Sequence, residues 1–456
     1  MSVFRRRLKR IAFVFAGFLF LVLVVLLIPQ EYPVPSAPGT VISQVVGKQV
    51  FDFMEWMGAA WIEKAGQLSV PVQDYLTDTQ RSQFVLDFIQ TLNKWGTLDR
   101  QIRRVYADAS VNDPQAQTQA QRAQRDALRA EIERRRPTAE AIIQQQISSV
   151  LIDEGFGDGG EIFPPVAARI TPLPYVLIIS PRDAINRIDG EALQAGLSVD
   201  EADRIERQVF TTTNQSALVV PIGGLAAYPT MILETGDPLW LMQTMAHEWV
   251  HNWLYVRPLG YSYLANSPTI RTINETVASL AGDELGLEVM RRYYLDTLKQ
   301  EHPDLVDPQP LKPPDPEASE AQPAAPRSNE FSYNNALYET RVKVEDMLAA
   351  ARQLKAAGQT AAAEAKIVEA EQYMEERRQF INSHGYGIRK LNQAFFAFYG
   401  AYADQPGGAA GRDPTGPNVV ALRAYSSSLR QFLDRVSSIL TLKDLQKAVA
   451  EFKAQR

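Results

Sequence analysis

Cysteine is absent from the 456 residues, so disulfides, thiolate zinc sites and a cysteine nucleophile are all excluded. Any transition metal held by this chain must take histidine and carboxylate ligands. Histidine is itself scarce, with only His247, His251, His302 and His384. A basic excess is missing as well. Lys and Arg number 47 against 53 Asp and Glu, a net charge of −6, which argues against nucleic acid as a partner. Beyond the N-terminus no apolar run is long enough to span a bilayer.

The one apolar run of spanning length is Ile11 to Ile28, preceded by Arg5, Arg6, Arg7, Lys9 and Arg10. No Lys or Arg follows until Lys48, so the positive-inside rule places residues 1–10 in the cytoplasm and the rest of the chain outside it. No small-x-small cleavage site follows in Pro29 to Pro35, which favours a retained single-pass anchor over a cleaved signal. Residues 29–40, rich in proline and small residues, read as a stalk.

The remaining pattern predicts an α+β protein that is mostly helical. Apolar residues at three-to-four spacing from Val45 to Leu92 begin a helical N-terminal domain, expected over 41–154. Within it, the Gln/Ala/Arg-rich stretch 113–136 reads as a solvated helix ending at Pro137, with Arg134, Arg135 and Arg136 facing solvent. A second helix is expected from Thr138 to Ile152, before Gly155, Gly157, Gly159 and Gly160 break the chain. Tyr175 to Ser180 and Ser216 to Ile222 have strand character, and Pro221 suggests an edge position for the second. Between them, Ser198 and Glu201 form a capping-box signature. Prolines crowd 303–330, a flexible insertion. Residues 331–456 read as a helical C-terminal domain, with a hairpin that turns at Gly358-Gln359.

Within the middle domain, 161–302, lies the stretch that carries chemistry. A helix capped by Asp237 and opened by Pro238 contains His247-Glu248-Trp-Val-His251. Residues four apart lie on one face of a helix, so both imidazoles can reach one metal ion, with Glu248 beside them as general base. Two histidines leave zinc short of a first shell. Asn274-Glu275 follows, far enough along the chain for a second helix to return beside the first.

His247-Glu248-x-x-His251 followed by Asn274-Glu275-x-x-Ala278-Ser279 resembles the gluzincins, the thermolysin-like and aminopeptidase-like zinc metallopeptidases. The resemblance covers roughly residues 170–290. It implies a zincin-like core, a small sheet with an edge strand beside the metal-binding helix, with Zn2+ held by His247, His251 and Glu275. Where thermolysin-like members carry an aspartate that orients a histidine, this chain has Ser279, with Asp283 one turn later. Asn274, Ser279 and Asp283 are therefore the candidates to hold the ligands in place, and Glu284 and Glu288 are fallback ligands.

In gluzincins a tyrosine or histidine from a later helix stabilises the oxyanion. Tyr386 and His384 are the first choices, because glycines flank Tyr386 and leave it accessible, with Tyr399 next. Tyr399 and Tyr402 also suit aromatic core packing. Gly223, Gly224 and Tyr228, just before the metal helix, are expected to line a strand edge that takes an extended peptide. The expected reaction is hydrolysis of a peptide bond in a peptide or protein substrate. Two other readings are a catalytically silent, membrane-anchored interaction protein that keeps the fold, and a zinc hydrolase of a non-peptide bond. The first predicts no hydrolysis with metal bound, the second zinc-dependent activity on small non-peptide substrates.

Overall fold

The computed structural model describes residues 41–455 apart from 70, 108–112, 226, 265–266, 307–330 and 404–407. The expected anchor at 11–28, the flanking residues 1–10 and 29–40, and most of 303–330 lie outside the described residues. Among the described residues no helix is long and apolar enough to cross a membrane.

The protein is mostly helical with small sheets, an α+β arrangement. A short helix α1 (Val41–Val46) leads into α2 (Phe53–Ser69), α3 (Asp78–Ala107) and α4 (Gln119–Leu151). Helix α4 corrects the expected break at Pro137, which lies inside it. Proline removes one helical hydrogen bond, yet Ile132 on one side and Ile142, Ile143 and Ile147 on the other are fully buried. Each such side chain contributes about 1.5–3 kcal/mol, enough to carry the helix through the defect. Arg136 is likewise buried, not solvent-facing, and pairs with Glu63 at 2.7 Å and Glu133 at 2.9 Å.

After a hairpin, β1 (Gly157–Asp158) and β2 (Glu161–Ile162), the chain builds two three-stranded sheets. One has β4 (Tyr175–Ser180) between β5 (Asp189–Leu193) and β6 (Ser216–Pro221), all antiparallel, so Pro221 does sit on an edge strand. Helix α5 (Val199–Thr213) separates them, opened by a complete capping box of Ser198 and Glu201. The other sheet has the order β3-β8-β7, from β3 (Ala168–Thr171), β7 (Gly224–Leu225) and β8 (Thr230–Leu233). Strand β8 runs parallel to β3 and antiparallel to β7, which leaves β7 at the edge.

Helix α6 (Pro238–Leu254) follows, with Asp237 accepting the Trp240 amide at 3.0 Å and proline in the first turn. It is buried on most sides, and the Trp249 indole donates to the Pro164 carbonyl at 2.8 Å. Helix α7 (Pro268–Tyr293), capped by Ser267, lies along it. Their backbones come together at two glycines on one face of α7. A Cβ on Gly286 would stand 2.4 Å from the Gln243 amide nitrogen, and one on Gly282 would stand 2.8 Å from the His247 Cβ.

The C-terminal part holds the hairpin of α8 (Tyr333–Ala356) and α9 (Thr360–Ser383), turning at Gly358, then α10 (Gln393–Tyr399), α11 (Thr415–Tyr425), α12 (Leu429–Val436) and α13 (Leu442–Ala454). One apolar core runs through α3, α4, β3, β8, α6, α7 and α11 to α13, across the glycine break at 155–160. Residues 41–154 and 161–302 thus share one core. A second core packs the hairpin and α10 against β4 and β6.

Gly286→Ala is expected to destabilise the fold by about 1–3 kcal/mol, because the clashing atoms belong to a helix backbone that cannot swing away. Gly58→Ala, in α2 with open space around it, should instead stabilise by about 0.5–1 kcal/mol. Urea unfolding of the two variants beside the parent measures both. Equal effects would refute the tight contact between α6 and α7.

Candidate metal centre

The spacing of α6 sets His247 and His251 on one face, with their rings edge to face and the centroids 4.7 Å apart. The glycine contact holds α7 close enough for Glu275 to meet both rings. His247 Nε2 and His251 Nε2 are 3.0 Å apart, and Glu275 Oε2 lies 3.7 Å from the first and 3.5 Å from the second. A circle through three atoms so spaced has a radius of about 2.0 Å, which matches zinc–nitrogen and zinc–oxygen bond lengths. His247, His251 and Glu275 form a group that could hold a metal ion, and the donor geometry fits one.

Each donor is aimed by a neighbour. His251 Nδ1 lies 2.7 Å from Asn274 Oδ1, whose amide nitrogen faces the Leu259 carbonyl at 3.4 Å. With the amide so oriented, Nδ1 carries a proton, and Nε2 is the nitrogen left to offer a lone pair to a metal ion. Tyr263, on the turn between the two helices, donates its hydroxyl to Glu275 Oε1 at 2.6 Å and leaves Oε2 to the histidines. The sequence reading missed Tyr263, since nothing local in Tyr261-Ser-Tyr-Leu264 marks it.

Glu248 follows His247 on α6 and has His247, His251 and Glu275 as electrostatic neighbours. Its carboxylate is buried beneath the edge strand β7, where a Cβ on Gly224 would come within 2.2 Å of Oε1. A larger residue there would force the Glu248 side chain to move. Burial pushes the Glu248 pKa above the usual carboxylate range, against the pull of His247 and His251, and Glu275 pushes the same way as burial. Glu275 behaves oppositely. Burial alone would raise it, but His251 and His247 beside it hold it well below that range. Burial likewise would lower His251, and Glu275 overrides it to about 9.

Other residues singled out in the sequence lie elsewhere. Gly223 backs onto the Trp240 ring. The Tyr228 ring packs on Trp61 at 5.5 Å between centroids, and its hydroxyl donates to the Pro165 carbonyl at 3.1 Å. His384 stacks on Phe331 at 4.0 Å and Tyr386 on Tyr333 at 4.5 Å, in an aromatic cluster at the end of the helical hairpin. Tyr399 packs on Phe395 at 4.5 Å. From the same segment it is Tyr402 that has Glu275, Tyr263 and Glu248 as electrostatic neighbours, while the residue as a whole is 40% exposed. Glu284 is held by Arg423 through two contacts of 2.7 Å, and Glu288 pairs with Arg292 at 2.6 Å. Ser279 is half-buried and Asp283 lies one turn further along α7.

No protein-family model, curated protein or solved structure matches this chain.

His251 and Glu275 make the stability of the metal-free protein depend on pH. Protonated His251 contributes fully below its ordinary pKa of 6.5, and the contribution is lost as the pH rises through about 9. Ionised Glu275 contributes above 4.5 and the contribution is lost as the pH falls below it. Chelator-treated protein should therefore melt progressively lower from pH 6.5 to 9, and added zinc should raise the melting temperature most at the alkaline end. A zinc effect that shrinks with rising pH across that window would contradict this arrangement.

Proposed function

We propose that the protein is a membrane-anchored zinc metallopeptidase of gluzincin type that hydrolyses peptide bonds. The observation that carries this reading is the convergence of His247, His251 and Glu275, with Glu248 buried beside the open edge of β7. The sheet β3-β8-β7 lying against α6 supports a zincin-like core. The cluster Arg5 to Arg10 ahead of the apolar run Ile11 to Ile28 supports a single anchor, with the catalytic part outside the cytoplasm.

Zn2+ held by the three ligands supplies Lewis acidity and brings the pKa of water towards neutrality. The chain's residues do the rest. An extended peptide pairs with the free edge of β7, which draws its scissile carbonyl across the site. Glu248, with its pKa raised by burial, takes the proton from the attacking water and passes it to the leaving amine nitrogen. The Tyr402 hydroxyl, in the electrostatic neighbourhood of Glu275 and Glu248, donates to the oxygen that gains charge as the carbonyl becomes tetrahedral. Tyr263 holds Glu275, and Asn274 holds His251, so that the ligands keep their aim.

Glu248→Gln should keep zinc and lose peptide hydrolysis by at least about a hundredfold. Tyr402→Phe should lower kcat by about a hundred- to a thousandfold with little change in KM, whereas Tyr386→Phe should alter neither. Steady-state kinetics on a mixed peptide library, with zinc content measured alongside, decides. Unchanged cleavage by zinc-loaded Glu248→Gln would sink the mechanism.

A further inference from the structure

Two arginines stand beside this site without belonging to it. Arg271 lies one turn before Glu275 on the same face of α7 and is only 8% exposed. Arg187 comes from the segment before β5, and its guanidinium lies against the Gly190 backbone. A Cβ on Gly190 would stand 2.6 Å from Arg187 Nη2 and 3.1 Å from Nε, so the glycine gives the guanidinium room. Both arginines have the Tyr263 hydroxyl as an electrostatic neighbour, Arg187 also has Tyr402, and the two guanidinium groups repel one another. Other arginines sit in ion pairs, as Arg129 does with Glu234 and Arg182 with Glu371. Among the described residues no hydrogen bond or ion pair holds the Arg187 guanidinium, and it is half-buried.

A half-buried guanidinium near two tyrosines of the site and a second cation favours an anion beside it. A guanidinium binds the two oxygens of a carboxylate side by side. We propose that Arg187, backed by the charge of Arg271, is a specificity-determining residue that takes a carboxylate of the peptide substrate next to the scissile bond. This rests on the peptidase reading and gives it a substrate class, peptides with an anionic group close to the cleaved position. That group is either the C-terminal carboxylate or an acidic side chain, and both offer the same planar pair of oxygens.

Three peptides with one core sequence separate the sources: a neutral peptide with a free C-terminus, its C-terminal amide, and the amide with Glu in place of Gln beside the cleaved bond. Wild-type protein loaded with zinc should favour one carboxylate-bearing peptide over the neutral amide by about ten- to a hundredfold in kcat/KM. Arg187→Gln should bring that ratio close to one, and Arg187→Lys should keep part of it. Because the readout is a ratio within one protein, partial loss of folded material does not imitate the effect. The same peptides titrated calorimetrically into Glu248→Gln protein should bind in the same order. Equal treatment of all three by the wild type, or a preference that survives Arg187→Gln, overturns the proposal. If no peptide is cleaved but the carboxylate preference in binding persists and depends on Arg187, the subsite stands and the peptidase reading falls.

Discussion

Everything at the site depends on how closely two helix backbones approach. Gly282 and Gly286 remove the side chains that would hold α7 away from Gln243 and His247. Glu275 lies on that same face of α7, and through it the glycine contact sets the distance from the carboxylate to both imidazoles. Packed interiors transmit small displacements, so a helix shift of an ångström would open a circle of about 2.0 Å radius to one no zinc ion can bridge. The two glycines thus matter to the chemistry without touching it. The same economy recurs at Gly224, where an absent side chain lets the sheet edge lie over Glu248.

The cluster is costly to bury on its own. Glu248 and Glu275 are two buried carboxylates beside two histidines; Tyr263 donates to Glu275, and Asn274 pairs with His251. Desolvating ionised groups costs several kcal/mol apiece unless opposite charge and hydrogen bonds offset it. A proton on His251 offsets part of that cost in the metal-free chain, and this is why Glu275 draws its pKa up. A divalent cation at the shared centre would offset that cost more completely and would leave Glu248 as the group able to exchange a proton.

What was legible in the sequence is what depends on near neighbours. The Asp237 cap with Pro238, the Ser198–Glu201 capping box and the one-face spacing of His247 and His251 are all local, and the structure has each of them. The α+β class followed from the same periodicities. Pro137 misled because its local cost is outweighed by isoleucines that pack against other helices. The strands β3, β5, β7 and β8 were too short to leave a pattern. Tyr263 carried no local signal and Tyr402 read as core packing, since their place beside Glu275 is fixed by how distant segments fold together. His384 and Tyr386 attracted attention through flanking glycines, and those glycines accompany a stack on Phe331 and Tyr333.

The central claim is one metal ion shared by His247, His251 and Glu275. X-ray absorption at the zinc edge of protein loaded with one equivalent tests it most directly. The account predicts a first shell of nitrogen and oxygen at about 2.0–2.1 Å, with the outer-shell scattering of two imidazoles that falls to one in His251→Ala. A protein that retains no stoichiometric zinc, or a shell without imidazole scattering, would contradict it.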